Sequence, residues 1–328
     1  MRRIGAALAG ILIVAVVAWG TLAVYFRGPG PHAVVAAAYA AVVLGVAAAL
    51  RSWPRRLVAL AALFVATLLW WSTIRPSNDR DWLPEVARLP AFDVDGTRLV
   101  AHGVRNFDYR IETDFRERWE DRTYDLARLR GLDLFMSYWA SPAIAHTVLS
   151  WDFDDGEHLA ISIETRKERG EEYSTVRGFF REYELYYVVA DERDVIRLRT
   201  NYRHENVYLY RLRTPVPRAR ALLLDYIASI NGLATQPIFY NALTDNCTTT
   251  IRNHMRNLGD DRPLDWRFLA NGYADQMLYE SGALDTRLPF AELRERSSID
   301  ARAQAADQAP DFAARIRDGL PNPRLPPS

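Results

Sequence analysis

Apolar and charged positions separate cleanly along this chain. Ile4–Phe26 is an uncharged run of 23 residues, and Ala33–Leu50 and Leu57–Ile74 are two more of 18 each. A helix rises about 1.5 Å per residue, so the first run reaches about 35 Å, enough for a bilayer's hydrocarbon core. None of the three carries the polar face of a water-soluble helix, which makes lipid the solvent that suits them. Pro31 and Pro54 fall in the links between runs, where helix breakers belong. The pattern predicts a transmembrane anchor of three helices over 1–75. Three consecutive runs argue against a cleaved signal peptide, the competing reading of the first.

After Arg75 polar residues return and shorter periods take over. Residues 77–95 read as an irregular lead-out. Thr97–Tyr109 and Leu132–Trp139 read as strands separated by a charged stretch around Arg116–Arg130. His146–Phe153, a turn at 154–157 and His158–Thr165 form a hairpin pattern. Further strand-like runs are Glu182–Ala190, Val195–Thr200 and Asn206–Arg213. Beyond Pro215 and Pro217 the period becomes helical over Arg218–Asn231, through Leu222, Leu223, Tyr226, Ile227 and Ile230. A second helix is predicted from about Asn246 to Leu258, stopped by Gly259. The expected fold class is α+β: the anchor, then a domain over 76–296 with an antiparallel sheet. An Ala/Arg/Pro-rich tail over 297–328 would hold one short helix at Asp311–Gly319.

Charge orients the molecule. Residues 1–75 hold seven arginines and no acid, and the remainder carries a net charge of −7. Arg2, Arg3, Arg51, Arg55 and Arg56 mark the cytoplasmic side, since positive residues stay inside. Everything after Arg75 is then extracytoplasmic, with Trp70 and Trp71 at the outer interface. The expected location is a bacterial inner membrane, multi-pass, with the large domain in the periplasm. This orientation requires the Ala- and Val-rich second run to span. No dense basic stripe follows, which excludes a uniformly basic nucleic-acid binder. The sole lysine, Lys167, among 41 basic residues reads as composition.

The usual phosphate, dinucleotide, zinc-protease and serine-hydrolase motifs are missing, and no two histidines share a helical metal-pair spacing. Neither a metal nor a cofactor is expected. Cys247, the single cysteine, stands in Asp245-Asn246-Cys247-Thr248-Thr249, where Asp245 or Asn246 would cap a helix. In the first turn its sulfur would face free N–H groups and the positive end of the helix dipole, both of which favour thiolate. The bland alternative is a buried, inert thiol. A thiol nucleophile needs a base. His254, seven residues on, is two turns away, whereas His146 opens a strand where a side chain can lean over a helix end. Closing the hairpin places Thr165 or Glu164 beside His146, depending on register. Glu164 is the candidate orienting group; Arg166 beyond it, Tyr138 just ahead of His146, and Asn241 and Asn246 flanking Cys247 are the candidate substrate-binding residues.

Taken together, Val104–Tyr109, Ala145-His146-Thr147, Ser162–Arg166, Asp191–Asp194, Tyr240-Asn241 and Asn246–Thr249 resemble the Lnb N-terminal periplasmic domain family, over approximately residues 80–320. The resemblance implies a permuted papain-like, NlpC-type thiol fold with His ahead of Cys. It also implies the Cys–His pair of the lipoprotein N-acyltransferase that gives the family its name, landing on Cys247 and His146. That enzyme's larger membrane region follows its domain, whereas here the helices precede it, so the substrate is not carried over. The leading expectation is a membrane-anchored acyltransferase that takes an acyl group from a membrane lipid through a Cys247 thioester and acts on a lipoprotein or another acceptor. The alternatives are an amidase or peptidase of cell-wall peptide, and a non-enzymatic periplasmic domain.

Overall fold

A computed structural model describes residues 2–263 and 265–324. The side chains of residues 2–9 and 12, Arg2 and Arg3 included, and the end of the Pro-rich segment, 325–328, lie outside the described residues. Three helices come first: α1 (Arg2–Arg27), α2 (His32–Ala49) and α3 (Trp53–Thr73). Pro31 precedes α2 and Pro54 sits in the first turn of α3, where its missing N–H costs nothing. Among the described residues α2 and α3 are long and apolar enough to cross a membrane, while the apolar stretch of α1, Ile13–Arg27, is shorter. Three spans were expected; among the described residues two meet the length and composition required, the side chains of residues 2–9 and 12 of α1 lying outside them.

The chain then forms β1 (Ala91–Asp95), β2 (Arg98–Arg105), a small hairpin of β3 (Asp108–Ile111) and β4 (Asp114–Arg116), and β5 (Trp119–Asp125). It continues with β6 (Leu129–Tyr138), β7 (His146–Phe153), β8 (His158–Arg166) and β9 (Glu184–Ala190). After α4 (Glu192–Arg197) and β10 (Asn206–Arg211) come α5 (Val216–Leu233), α6 (Cys247–Asn257), α7 (Ala274–Glu280) and α8 (Phe290–Ser297). Two short helices, α9 (Asp300–Ala306) and α10 (Phe312–Arg315), end it. The main sheet runs β1-β2-β9-β8-β7-β6-β10, with β5 also paired to β2. It is antiparallel except where β2 meets β9 in parallel, at Arg105 and Ala190.

Alternation along the central strands sorts side chains into two cores. Leu149, Trp151, Leu159, Ile161, Tyr187 and Val189 face α5 and α6. Val148, Ala160, Tyr186 and Val188 face the other way, onto Trp82 and Val86 of the lead-out and onto Ile299, Ala303 and Phe312. A sheet buried on both faces reads as nearly continuous apolar strands, as Glu184–Ala190 does.

Three stretches differ from expectation. The charged segment around 116–130 contains β5, whose polar residues suit an outlying, half-exposed strand. Val195–Thr200 is helical: Asp191 caps α4, and a π turn over Leu198–Tyr202 continues it. Buried Asp194 fixes that helix by accepting from Arg105 and from the Phe107 N–H. Short apolar runs do not reveal their period, and long-range ion pairing decided this one. Finally, residues 298–324, where one short helix and an end either wrapped on the surface or disordered were expected, hold two helices, α9 and α10, and are docked. Arg317 bonds Asp133 and Glu192, and Arg324 bonds Asp133 and Asp152, all three acids being inaccessible to solvent.

Candidate functional site

The site lies at one end of the sheet, where the two layers meet. Asn246 caps α6: its Oδ1 accepts from the Thr248 and Thr249 N–H groups at 3.0 and 2.9 Å. The Thr249 hydroxyl accepts from the Asn246 N–H in return. This reciprocal box fixes where the helix begins and puts Cys247 at its first position, with an N–H the cap does not engage. Cys247 is buried at the base of a cleft of about 590 Å³.

His146 opens β7 and lines the same cleft as Cys247. Burial by itself would push the Cys247 thiol up, but hydrogen bonding and charge from His146, helped by Thr147, bring it down from 9.0 to about 6. His146 Nε2 lies 2.6 Å from Ser162 Oγ, and the Ser162 hydroxyl donates to Glu164 Oε1 at 2.8 Å. A hydroxyl has one proton, so Ser162 accepts from His146 Nε2–H. Nδ1 is then the nitrogen left for the sulfur. Glu164 Oε1 is itself 3.6 Å from His146 Nε2 and 3.1 Å from Arg199 Nη2. Although burial opposes its charge, Arg199, His146 and Arg105 hold the Glu164 carboxyl far below the usual range. Arg199 is braced in turn by Glu205, which accepts from Ser137.

Register explains this geometry. The hairpin pairs Asp152 with His158 and Val148 with Ser162; the expected closure, 153 with 158, is not formed, and the Phe153 N–H donates to Glu157 O instead. Continued along the ladder, the observed register sets His146 opposite Glu164, with Ser162 on the same face. That carboxylate therefore needs no bulge to reach the imidazole.

Asn271, which the sequence did not single out, ties the two halves together. Its Oδ1 accepts from the Ala145 N–H at 2.9 Å. Its Nδ2 donates to Ala145 O at 2.6 Å and Thr248 Oγ1 at 2.7 Å, and lies 3.7 Å from Cys247 Sγ. Those donations use both amide hydrogens, so Asn271 positions α6 against β7. Alternation along β8 points to Ser162, two residues before Glu164; nothing in the local sequence points to Asn271.

The other expected residues divide. Asn246 lines the cleft, although its polar atoms serve the cap and Ala242 O. Tyr138 does not: it is buried in the core and donates to Gly272 O, while the next residue, half-exposed Trp139, forms part of the wall. Asn241 accepts from the Leu243 and Thr244 N–H groups and builds the turn before α6. Arg166 is buried against the Trp82 ring and donates to Val86 O and Ala87 O, clamping the lead-out away from the cleft. His254 is also elsewhere, between Asp225 and Tyr187 and stacked on Tyr226.

The cleft lining is mixed: Trp139, Ile144, Tyr173, Phe268 and Leu269 are apolar or aromatic, while Glu112, Lys167, Arg199, Arg203 and Glu205 are charged. Buried Asp133, Asp152 and His158 lie close enough to share an ion. However, every carboxylate oxygen of the pair is bonded by at least one of Arg130, Arg211, Arg317 and Arg324. Four guanidinium groups already balance that charge, so the cluster does not fit a cation.

Comparison with known proteins adds one relationship. No curated protein and no solved structure matches the chain. Residues 115–272, which include His146, Ser162, Glu164, Cys247 and Asn271, match the family model described as the Lnb N-terminal periplasmic domain. With apolar helices ahead of it, such a domain fits a membrane-anchored periplasmic protein. Over the part of the chain that holds the site, just under half of its length, the protein is therefore similar to the Lnb N-terminal periplasmic domain family.

Proposed function

We propose that the protein is a periplasmic thiol acyltransferase held to the inner membrane by α1–α3, with a permuted papain-like domain carrying the reaction. The observation that carries this reading is a helix-start thiol held near 6 by an imidazole that is itself anchored through Ser162 to Glu164. An inert core cysteine needs none of these groups. Three passes are supported by the side-by-side ends of α1 and α3, where Trp19, Ala23 and Phe26 cluster with Trp70, Trp71 and Ile74.

In the proposed reaction the Cys247 thiolate attacks the carbonyl of an acyl ester from a membrane lipid. The Cys247 N–H at the helix start stabilises the oxyanion. His146, having taken the thiol proton, gives it to the departing alcohol, and an acyl-thioester remains. An acceptor amine, on a lipoprotein or a related substrate, then attacks the thioester. Its proton passes through His146 to the leaving sulfur, restoring the thiol. The apolar residues in the cleft lining, Trp139, Ile144, Phe268 and Leu269, support an acyl substrate over a cell-wall peptide.

The test is intact-mass analysis of protein extracted from its own membranes. The expected result is an adduct of acyl mass on Cys247, released by neutral hydroxylamine and missing in Cys247→Ala. Turnover that survives Cys247→Ala would end the proposal.

A further inference from the structure

Beyond Arg75 the large apolar side chains left exposed are not scattered. Among the described residues all but Val94, Ile111 and Val216 fall in four short stretches: 139–144, 173–179, 238–243 and 266–269. Each stretch also supplies part of the cleft wall, through Trp139 and Ile144, Tyr173, Tyr240 and Ala242, and Phe268 and Leu269. Contiguous exposed apolar surface on a folded domain marks a contact with something else.

Two of the stretches are fastened to the ends of the membrane helices. Phe180, next to exposed Phe179, packs on Phe26 and Trp71 with ring centroids 5.2 and 6.2 Å away. Arg181 donates to Trp71 O at 2.7 Å and to Ile74 O at 3.2 Å. It does so from a left-handed backbone, φ 55°, which costs a non-glycine residue free energy unless packing holds it. Phe239, within the third stretch, lies under the guanidinium groups of Arg27 and Arg181 at 6.0 and 5.6 Å. Tryptophan and arginine at a helix end are the side chains that settle at the water–lipid boundary.

We infer that these four stretches form a rim that rests on the outer surface of the bilayer, Val176, Phe179, Leu243 and Trp266 dipping among the lipids, so that the cleft opens toward the membrane. The occupant is lipid, because the rim is continuous with the place where α1 and α3 leave the apolar phase. This inference takes its purpose from the proposed lipid substrate, but its test does not use turnover.

The full-length protein is reconstituted in phosphatidylcholine nanodiscs containing a phospholipid with a diazirine on its acyl chain, irradiated, digested and mapped by mass spectrometry. Carbene insertion is expected in peptides covering 173–179 and 238–243, and not in those covering 91–95 or 108–116. The double variant Val176→Glu/Leu243→Glu should lose at least about half of the rim insertion while keeping that of α2 and α3. Insertion confined to the N-terminal helices in the unmodified protein overturns the inference. Cys247→Ser should give the same map as wild type, so an acyl adduct without rim insertion would leave the chemistry standing and remove the docking surface.

Discussion

Replacing His146 by alanine tests the centre of the site through the thiol itself. Burial works against the Cys247 thiolate, and His146 is the largest influence that lowers its pKa from 9.0 to about 6. Without the imidazole the buried thiol returns to at least the ordinary value, a change of about three pKa units, or about 4 kcal/mol between protonation states. At about pH 5.5 the wild-type sulfur is about one quarter thiolate, and in His146→Ala fewer than about one in a thousand is. A more basic thiolate is also more nucleophilic, and with a Brønsted slope of about 0.45 this returns about a factor of twenty. Alkylation by iodoacetamide should therefore slow at least about thirtyfold at pH 5.5, but only about fourfold at pH 7. The assay is a pH series of second-order alkylation rates on the full-length protein, with Cys247→Ala as the blank. The rate in wild type should rise through a midpoint near 6 and level off, whereas in His146→Ala it should still be climbing at pH 8.5. A wild-type midpoint near 9, or a profile unchanged by His146→Ala, refutes the coupling of the two residues.

Ser162→Ala and Glu164→Gln should each lower kcat by about tenfold or more, because the imidazole loses the partner that fixes its tautomer; unchanged kcat in both would show that His146 is held by other means. Asn271→Ala leaves the Ala145 N–H and the Thr248 hydroxyl without their partners and should lower stability by about 2–4 kcal/mol, read as a shift in the denaturant midpoint at unchanged slope. Arg317→Ala removes the guanidinium that pairs buried Glu192, and one of the three that pair Asp133, and should cost about 3–5 kcal/mol. Ending the chain at Ser297 should then prevent stable folding, and a soluble, cooperatively unfolding truncation would contradict the docked tail.

The apolar runs and the hairpin were legible because their signals are local. Eighteen uncharged residues over Ala33–Leu50 need no partner to declare an apolar helix, and alternation over His146–Phe153 declares a strand by itself. The cap at Asn246 is equally local: the Asn246 side chain and Thr249 sit at the spacing a helix start requires. Val195–Thr200 has the composition of a strand, yet it is helical because that helix depends on Asp194 meeting Arg105, 89 residues away. Closeness in sequence to His146 and Glu164 suggests Tyr138 and Arg166 as substrate contacts, but it is not closeness in space. Along strands neighbouring residues part: Arg166 turns to the lead-out, and Tyr138 turns into the core.

What the sequence by itself determined is the set of local propensities: where the apolar helices lie, where most strands and helices run, and that a lone cysteine begins a helix. The tertiary structure alone decided that Cys247 and His146 meet, that Glu164 rather than Thr165 stands behind the imidazole, and that Asn271 braces them. The reason is register and packing. A slip of one residue in the β7–β8 hairpin exchanges the faces of every side chain on β8, and that choice is fixed by the two cores the sheet must fill at once.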